Sequence, residues 1–386
     1  MASIEARSFL MPGKIVYGEG ALGQAAPSMA QMGEKALIVT DAMMVKLGNL
    51  ARLTQALEGE GIGFSVYDGI NSEPVDKMVE EGVRRFKDDG CDFMVALGGG
   101  SPIDTMKAIA MCAASGERIA AFMGRPYCGP VCPMVAIPTT AGTGSEATQF
   151  TIITDTENDV KMLISGASLI PALAIVDPVF TLTAPASVTA ATGVDALCHA
   201  IEAYTSRKAQ PLSQVFALSA AKRIFANLAV CVEEPDNIEA RTQMSLAATE
   251  AGVAFNNASV TLIHGMSRPI GAVFHVPHGL SNAMLMKACF DFALDGAYDR
   301  FAEVARACGL SASDDDAAAA RGLMEGIDDL LTRIKIPTLA EFGVDFDAFT
   351  AAIDKMAADA EASGSPANTI KPVSQGDMRA MYRSLI

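Results

Sequence analysis

The segment Phe93-Met-Val-Ala-Leu-Gly-Gly-Gly-Ser-Pro-Ile-Asp104 joins a short apolar run to a glycine-rich turn and then to a helical pattern. The apolar run 93–97 predicts a buried strand. In the turn, Ser101 is a suitable N-cap, Pro102 suits the first helical turn and Asp104 would complete a capping box. The free N–H groups of such a helix N-terminus suit a pyrophosphate, although the same residues also fit a tight turn without a ligand.

Strands and helices alternate on both sides of this turn. Further strands are predicted at 35–40, 64–67 and 134–137, and helices at 43–58, 74–89 and 106–114. Short apolar strands that alternate with helices are typical of a parallel sheet with helices on both faces. Beyond that region the pattern is helical, with helices predicted over 193–206, 212–232, 238–255, 292–308, 315–334 and 347–361. The sequence therefore predicts an α/β nucleotide-binding domain over 1–183 and an all-helical domain over 184–386.

A second polar turn, Pro138-Thr139-Thr140-Ala-Gly-Thr-Gly-Ser-Glu146, follows the strand at 134–137. By itself it also fits a capped loop. However, an open parallel sheet binds its ligand at the carboxyl ends of neighbouring strands, which favours a dinucleotide site at the two turns. Asp41 follows the strand at 35–40, where it suits the hydroxyls of an adenosine ribose. It equally suits the N-cap of the next helix, and the two roles are compatible.

All four histidines lie in the helical half, at His199, His264, His275 and His278. Asp195 and His199 are four residues apart, so both would project from one helix face. A carboxylate with several imidazoles suits Fe(II), Zn(II) or a similar divalent ion. Any single histidine is better explained by a structural role, and it is the combination that favours a metal-binding domain.

Composition limits the remaining possibilities. The 386 residues carry a formal charge of −16, which predicts no nucleic-acid partner because phosphate would be repelled. No signal peptide and no membrane span are expected. The eight cysteines form no CxxC pair, so they are expected to be reduced thiols in a cytoplasmic protein.

Four ordered runs resemble one family. GGGSPIDTMKAIA, PTTAGTGSEAT, TGVDALCHAIEAY and HGMSRPIGAVFHVPHGLSNA together are similar to the iron-containing (group III) alcohol dehydrogenases, over almost the whole chain. The resemblance implies an active site in the cleft between an α/β domain and a helical domain. It also implies an enzyme that uses NAD and iron on a small alcohol or aldehyde, assembled as a homodimer or larger homo-oligomer.

Carried over residue by residue, the resemblance implies that the catalytic metal ligands are Asp195, His199, His264 and His278. Residues along NAD would be Asp41, Gly98, Gly99, Gly100, Ser101, Asp104, Thr139, Thr140, Thr148 and Lys161, with Phe180 near the adenosine. His275 would then be a substrate-pocket residue rather than a ligand.

Two positions depart from the family pattern. Many relatives have a histidine four residues after the third ligand, where this chain has Arg268; many have an asparagine where it has Glu73. Arginine cannot relay a proton near neutral pH. Arg268 is expected either to pair with a carboxylate such as Glu73 or Glu146, or to bind an anionic group of the substrate.

Two other classes of function are compatible with parts of the pattern. A metal- and NAD-dependent lyase or cyclase of the dehydroquinate synthase kind would share the scaffold but need a pocket rich in lysine and arginine. A sensor would bind metal or nucleotide without turnover. The complete set of expected metal ligands favours the dehydrogenase.

Overall fold

The computed structural model describes residues 6–158 and 160–386, which divide into two compact units. Residues 10–184 form an α/β unit; residues 185–386, together with 6–9, form a helical unit. The predicted fold class, a parallel-sheet region followed by a helical region, is confirmed. The boundary after residue 183 stays a prediction.

The α/β unit alternates strands and helices along most of its length. Its strands are β1 (Lys14–Tyr17), β2 (Lys35–Val39), β3 (Gly63–Tyr67), β4 (Phe93–Gly98), β5 (Met134–Pro138), β6 (Phe150–Asp155), β7 (Val160–Ser165) and β8 (Leu173–Val176). Its helices are α1 (Ala21–Met29), α2 (Ala42–Lys46), α3 (Asn49–Gly59), α4 (Asp76–Asp88) and α5 (Gly100–Ser115). The helix predicted over 43–58 is two helices, because Gly48 takes a left-handed conformation between them.

Within the described residues, six strands form one parallel sheet in the order β1-β8-β5-β4-β2-β3. Leu97 pairs with Ile137 and Gly98 with Pro138, so the carboxyl ends of β4 and β5 lie side by side. Apolar residues on both faces of the sheet are buried, which is why the strands read as continuous apolar runs. The sheet therefore places the two predicted ligand turns next to each other.

The sequence did not predict β1, β8 or the antiparallel pair β6–β7. Strand β6 alternates buried and partly buried residues, and half of it is Thr and Asp. Such a short, mixed pattern differs little from a loop. The hairpin nevertheless matters, because Lys161 lies on β7 and Ile152 on β6.

The helical unit contains α6 (Ala186–Thr205), α7 (Pro211–Glu233), α8 (Ile238–Ala258), α9 (Leu262–Phe274), α10 (His278–Ala293), α11 (Tyr298–Ala307), α12 (Asp316–Arg333), α13 (Leu339–Phe342), α14 (Phe346–Ala362) and α15 (Gln375–Arg383). The sequence did not predict α9, which contains Pro269, or α10, α13 and α15. The helix predicted over 292–308 was wrong at 294–297, where the chain turns. A Cβ at Gly296 would lie 2.6 Å from Lys371 Cβ, so this close turn requires glycine.

Of the helices in the described ranges, α7 alone is long and apolar enough to cross a membrane by length and composition. It packs along α6 and α8, and its Ala220, Ile224 and Leu228 are buried. The central helix of a helical bundle meets the same two criteria. The length and composition of α7 are therefore weak support for a membrane span.

Candidate metal centre and nucleotide turns

Three helices of the helical unit bring the four predicted ligands together. Asp195 and His199 lie one turn apart on α6, His264 lies in the first turn of α9, and His278 is the first residue of α10. Asp195, His199 and His264 are buried, whereas the side chain of His278 is 39% exposed. The potential ligand atoms of the three buried residues all lie within 4.8 Å of one another.

The imidazole nitrogens converge on a single carboxylate oxygen. The Nε2 atoms of His264, His278 and His199 lie 3.3, 3.8 and 3.9 Å from Asp195 Oδ1. Neighbouring ligands of a tetrahedral ion with bonds of about 2.1 Å are about 3.4 Å apart. Two of the three separations are too long for a hydrogen bond. The spacing and the N,O donor set therefore fit a divalent transition-metal ion.

Electrostatics keep Asp195 and His199 in states suited to metal binding. Burial alone would raise the pKa of Asp195, but the adjacent histidines, His199 first, hold it well below its usual value. Burial lowers the pKa of His199 to about 3, against the attraction of Asp195. A carboxylate and a neutral imidazole are the forms that coordinate metals. Burial alone would lower the pKa of His264, but Glu202 raises it to about 9, so a metal ion must displace a proton there. By contrast, burial raises the pKa of Cys198 well above its usual value, so this thiol is no thiolate ligand.

Glu202, which the sequence reasoning missed, orients His264. It is fully buried and its carboxylate accepts three hydrogen bonds, from Thr261 Oγ1 at 2.8 Å, Ile263 N at 2.7 Å and His264 Nδ1 at 2.5 Å. Burial opposes the charge of Glu202, but His264 lowers its pKa. With Nδ1–H directed at Glu202, Nε2 of His264 is left facing Asp195. A carboxylate behind a ligand histidine is a common support of metal sites.

Asn282 is a second missed residue. It is fully buried on α10, one turn after His278, and its Nδ2 donates to Asp195 Oδ1 at 2.6 Å. The same nitrogen lies 3.2 Å from Nε2 of both His264 and His278. Helical spacing was the available signal for both residues, because Glu202 is seven residues after Asp195 and Asn282 four after His278.

The glycine-rich turn in the α/β unit has the predicted strand–turn–helix form, with one correction. Helix α5 begins at Gly100 with Gly99 as its N-cap, so the prediction of Ser101 as N-cap was wrong. Gly98 has φ 155°, and a Cβ there would lie 2.5 Å from Pro102 Cγ. The turn is thus too tight for any side chain at 98, and it starts the helix two residues earlier than a serine cap would.

The predicted capping box is absent because Asp104 has other partners. Its Oδ1 accepts from Ser145 Oγ at 2.6 Å and its Oδ2 from Ile152 N at 2.9 Å. A Cβ at Gly100 would lie 3.0 Å from Thr143 Cγ2, so the two turns are in close contact. Burial raises the pKa of Asp104. Asp104 therefore fixes the second turn and β6 to α5.

Lys107, which the sequence reasoning also missed, lies one turn further along α5 and likewise fixes the second turn and β6 to this helix. It is fully buried, and its Nζ donates to Ser145 O at 2.7 Å, Phe150 O at 2.8 Å and Thr148 Oγ1 at 3.1 Å. Burial lowers its pKa to about 8. Thr148 is thus a partner of Lys107, and its predicted contact with NAD stays a prediction.

The structure gives the other predicted cofactor residues defined positions. Asp41 caps α2, its Oδ1 accepting from Met43 N at 2.8 Å and Met44 N at 3.0 Å. Lys161 forms an ion pair with Glu73 at 2.6 Å. Phe180 is 1% exposed and belongs to the hydrophobic core. The remaining members of the predicted set lie in the two turns: Thr139 is buried, and Thr140 is partly buried.

The two predicted pocket residues lie on α9 or at its end. His275 is exposed and ends α9 in the left-handed conformation, with φ 55°. Arg268 is partly buried, and its Nη1 donates to Ser365 Oγ at 3.1 Å. The expected pairing of Arg268 with Glu73 or Glu146 stays a prediction, and Glu73 already has Lys161 as a partner.

Comparison with known proteins agrees with this site. Residues 12–178 match the family described as iron-containing alcohol dehydrogenase, and residues 189–386 match the C-terminal part of the Fe-containing alcohol dehydrogenase family. The NAD-dependent methanol dehydrogenase of Bacillus methanolicus is 40% identical over 87% of this chain and 90% of its own length. Alcohol dehydrogenase 4 of Schizosaccharomyces pombe is 35% identical over 98% of this chain and 88% of its own length.

A solved structure of 1,3-propanediol oxidoreductase has a TM-score of 0.95 and 32% identity, covering 99% of this chain and 100% of its own. The chain therefore belongs to the iron-containing alcohol dehydrogenase family, as its four motifs predicted. It is an oxidoreductase of the alcohol dehydrogenase type, and the family match disfavours a lyase of the dehydroquinate synthase kind.

Proposed function

We propose that this protein oxidises a small alcohol with NAD, or reduces the corresponding aldehyde with NADH, using an iron ion held by Asp195, His199, His264 and His278. The observation that carries the proposal is the convergence of three imidazole nitrogens on Asp195 Oδ1 at 3.3–3.9 Å. With a metal ion bound by these residues, the reaction requires no serine or cysteine nucleophile.

A bound divalent ion supplies Lewis acidity toward a substrate oxygen, and NAD supplies the hydride acceptor. The chain's own residues supply the positioning. Glu202 fixes the His264 tautomer whose Nε2 is available, and Asn282 holds the Asp195 carboxylate at 2.6 Å. Both supports are fully buried, so water does not compete for their hydrogen bonds.

The glycine turn, the second turn and Asp41 are the proposed NAD site. Support comes from the free N–H groups at the start of α5, which suit a pyrophosphate. Asp41 lies two residues after the end of β2, and its Oδ1 accepts both capping hydrogen bonds. Its second oxygen is left for a ribose hydroxyl. The methanol dehydrogenase relative is named for its use of NAD, which agrees with this assignment.

The substrate is proposed to be small because the named relatives act on methanol and 1,3-propanediol. Neither nucleic acid nor membrane is a proposed partner. We also propose a homo-oligomer, supported by the exposed apolar residues Leu212 and Val215 on α7, which are 55% and 66% exposed. A cytoplasmic location is supported by the eight cysteines, all of which are free thiols.

The test is an anaerobic screen of the Fe(II)-loaded enzyme with NADH and NADPH over short neutral and anionic aldehydes, and with NAD over short diols. Expected are turnover with NADH on at least one short aldehyde and slower turnover with NADPH. Absence of turnover in an enzyme shown to contain iron and to bind NAD would contradict the proposal and favour a sensor.

A further inference from the structure

Arg268 lies on the ligand-bearing face of α9. It follows His264 by four residues, one helical turn, so the two side chains project from the same side. The loop after α14 closes over this part of the helix: a Cβ at Gly265 would lie 2.6 Å from Pro366 Cδ. This close approach brings the buried Ser365 within hydrogen-bond distance of Arg268, at 3.1 Å.

Most hydrogen-bond donors of Arg268 and Ser365 have no acceptor in the helical unit. A guanidinium has five N–H groups, and Ser365 Oγ is the acceptor found for Arg268. In the helical unit, over residues 6–9 and 185–386, no carboxylate oxygen lies within 4 Å of Arg268. The hydroxyl proton of Ser365 likewise has no acceptor among the described residues. The Nε and Nη2 atoms of Arg268 are not among the fully buried atoms without a partner, so these two nitrogens are accessible to solvent.

Glu202 does not satisfy Arg268. Burial lowers the pKa of Arg268 and the charge of Glu202 opposes that shift, so the two groups sense each other. However, both Glu202 oxygens already accept hydrogen bonds, from Thr261, Ile263 and His264. A partly buried guanidinium without a contacting carboxylate is unfavourable unless another anion compensates it.

We infer that Arg268 and Ser365 bind an anionic group of the substrate, and that this enzyme acts on a short aldehyde, or its alcohol, bearing a carboxylate, sulfonate or phosphonate. This inference rests on the proposed dehydrogenase function and specifies its substrate class. The guanidinium fork matches two oxygens of such a group, and the serine hydroxyl can donate to one of them. In a chain of net charge −16, a local cation of this kind is needed to hold an anion.

The experiment compares each anionic aldehyde with a neutral one of nearly equal size in the Fe(II)-loaded enzyme. Sulfoacetaldehyde is paired with methylsulfonylacetaldehyde, and succinic semialdehyde with 4-oxobutanamide. The measured quantity is the ratio of kcat/KM for the anion to that for its neutral partner. The variants are Arg268→Gln, Arg268→Lys and Ser365→Ala. Arg333→Gln, on the exposed face of α12, removes the same charge elsewhere and is the matched control.

The wild type should prefer an anion at least tenfold in one of the pairs. Arg268→Gln should lower that ratio by about 10- to 100-fold, the range for loss of a charge-assisted hydrogen bond, mainly through KM. Arg268→Lys should recover part of the ratio, Ser365→Ala should lower it severalfold, and Arg333→Gln should leave it as in the wild type. A wild type without anion preference, or a ratio that survives in Arg268→Gln, overturns the inference.

If Arg268→Gln does not fold, Ser365→Ala decides by the same ratio, and an unchanged ratio overturns the inference. If no aldehyde is turned over, the proposed function fails separately. Calorimetric binding of 2-hydroxyethanesulfonate, with ethylene glycol as the neutral reference, then tests the anion site. Weaker binding of the sulfonate to the Arg268 or Ser365 variants supports the inference, and equal binding overturns it.

Discussion

Replacement of Glu202 by glutamine should weaken metal binding while leaving the fold intact. In the native protein Oε1 accepts from Thr261 Oγ1 and Ile263 N, and Oε2 from His264 Nδ1. Glutamine has one acceptor oxygen, so its amide N–H₂ must face one of these two sets of donors. The oxygen should stay with the pair from Thr261 and Ile263, since turning it to His264 would leave two buried donors unpaired.

The amide N–H₂ would then face His264, which would have to become an acceptor at Nδ1. A neutral imidazole that accepts at Nδ1 carries its proton on Nε2, the atom that faces Asp195 at 3.3 Å. In this tautomer His264 cannot coordinate a metal. Loss of such a supporting carboxylate typically weakens metal affinity by 10- to 100-fold, or about 1.4 to 2.7 kcal/mol.

The assay is anaerobic competition for Fe(II) between the protein and a chelator, with thermal unfolding of the metal-free protein as a second readout. Glu250→Gln is the control, because it neutralises another partly buried carboxylate of the helical unit, which pairs with Arg223 at 3.2 Å. Fe(II) affinity of Glu202→Gln equal to that of the wild type and of Glu250→Gln would refute the assigned role of Glu202.

Two further predictions concern the α/β unit. Asp41→Gly should narrow the preference for NADH over NADPH, measured as kcat/KM. The reason is that repulsion between the Asp41 carboxylate and the 2′-phosphate of NADPH costs about 1 to 4 kcal/mol of binding free energy. Equal kcat/KM values for both cofactors in the wild type would leave Asp41 as a helix cap only. Lys107→Met should weaken NAD binding in calorimetry, because it frees the second turn from α5. Since the pKa of Lys107 is lowered from 10.5 to about 8 in the fold, the unfolded chain binds more protons between these pH values. The wild-type free energy of unfolding, minus that of Lys107→Met, should therefore rise from pH 8 to 10.5, and a flat difference would contradict the shift.

The sequence was most informative where a feature depends on local spacing. The apolar run at 93–97, the turn at 98–100 and the Asp195–His199 pair each follow from neighbouring residues, and the structure places them as expected. The convergence of His264 and His278 on Asp195 depends on how α6, α9 and α10 pack. Spacing could not supply that geometry, and the family resemblance did.

The residues that were missed, or whose contacts were predicted wrongly, are those whose role depends on a partner distant in sequence. Lys107 sits in an apolar helix pattern, and its four acceptors lie 38 to 43 residues away. The position of Asp104 in the sequence predicted a capping box, but its carboxylate oxygens accept hydrogen bonds from Ser145 and from Ile152 on β6 instead. Glu202 could have been found from its position on the face of Asp195, but its contact with His264 spans 62 residues.

Turnover by a verified metal-free preparation decides whether this enzyme requires its metal. The enzyme is treated with a chelator, its residual metal is measured by mass spectrometry, and NADH consumption with its best aldehyde is followed before and after reloading. We expect no turnover without metal, recovery with Fe(II) and little recovery with Mg(II), which prefers all-oxygen octahedral sites. His264→Ala should remain folded and fail to recover with Fe(II). Full turnover in the metal-free protein would show that the reaction does not require the ion.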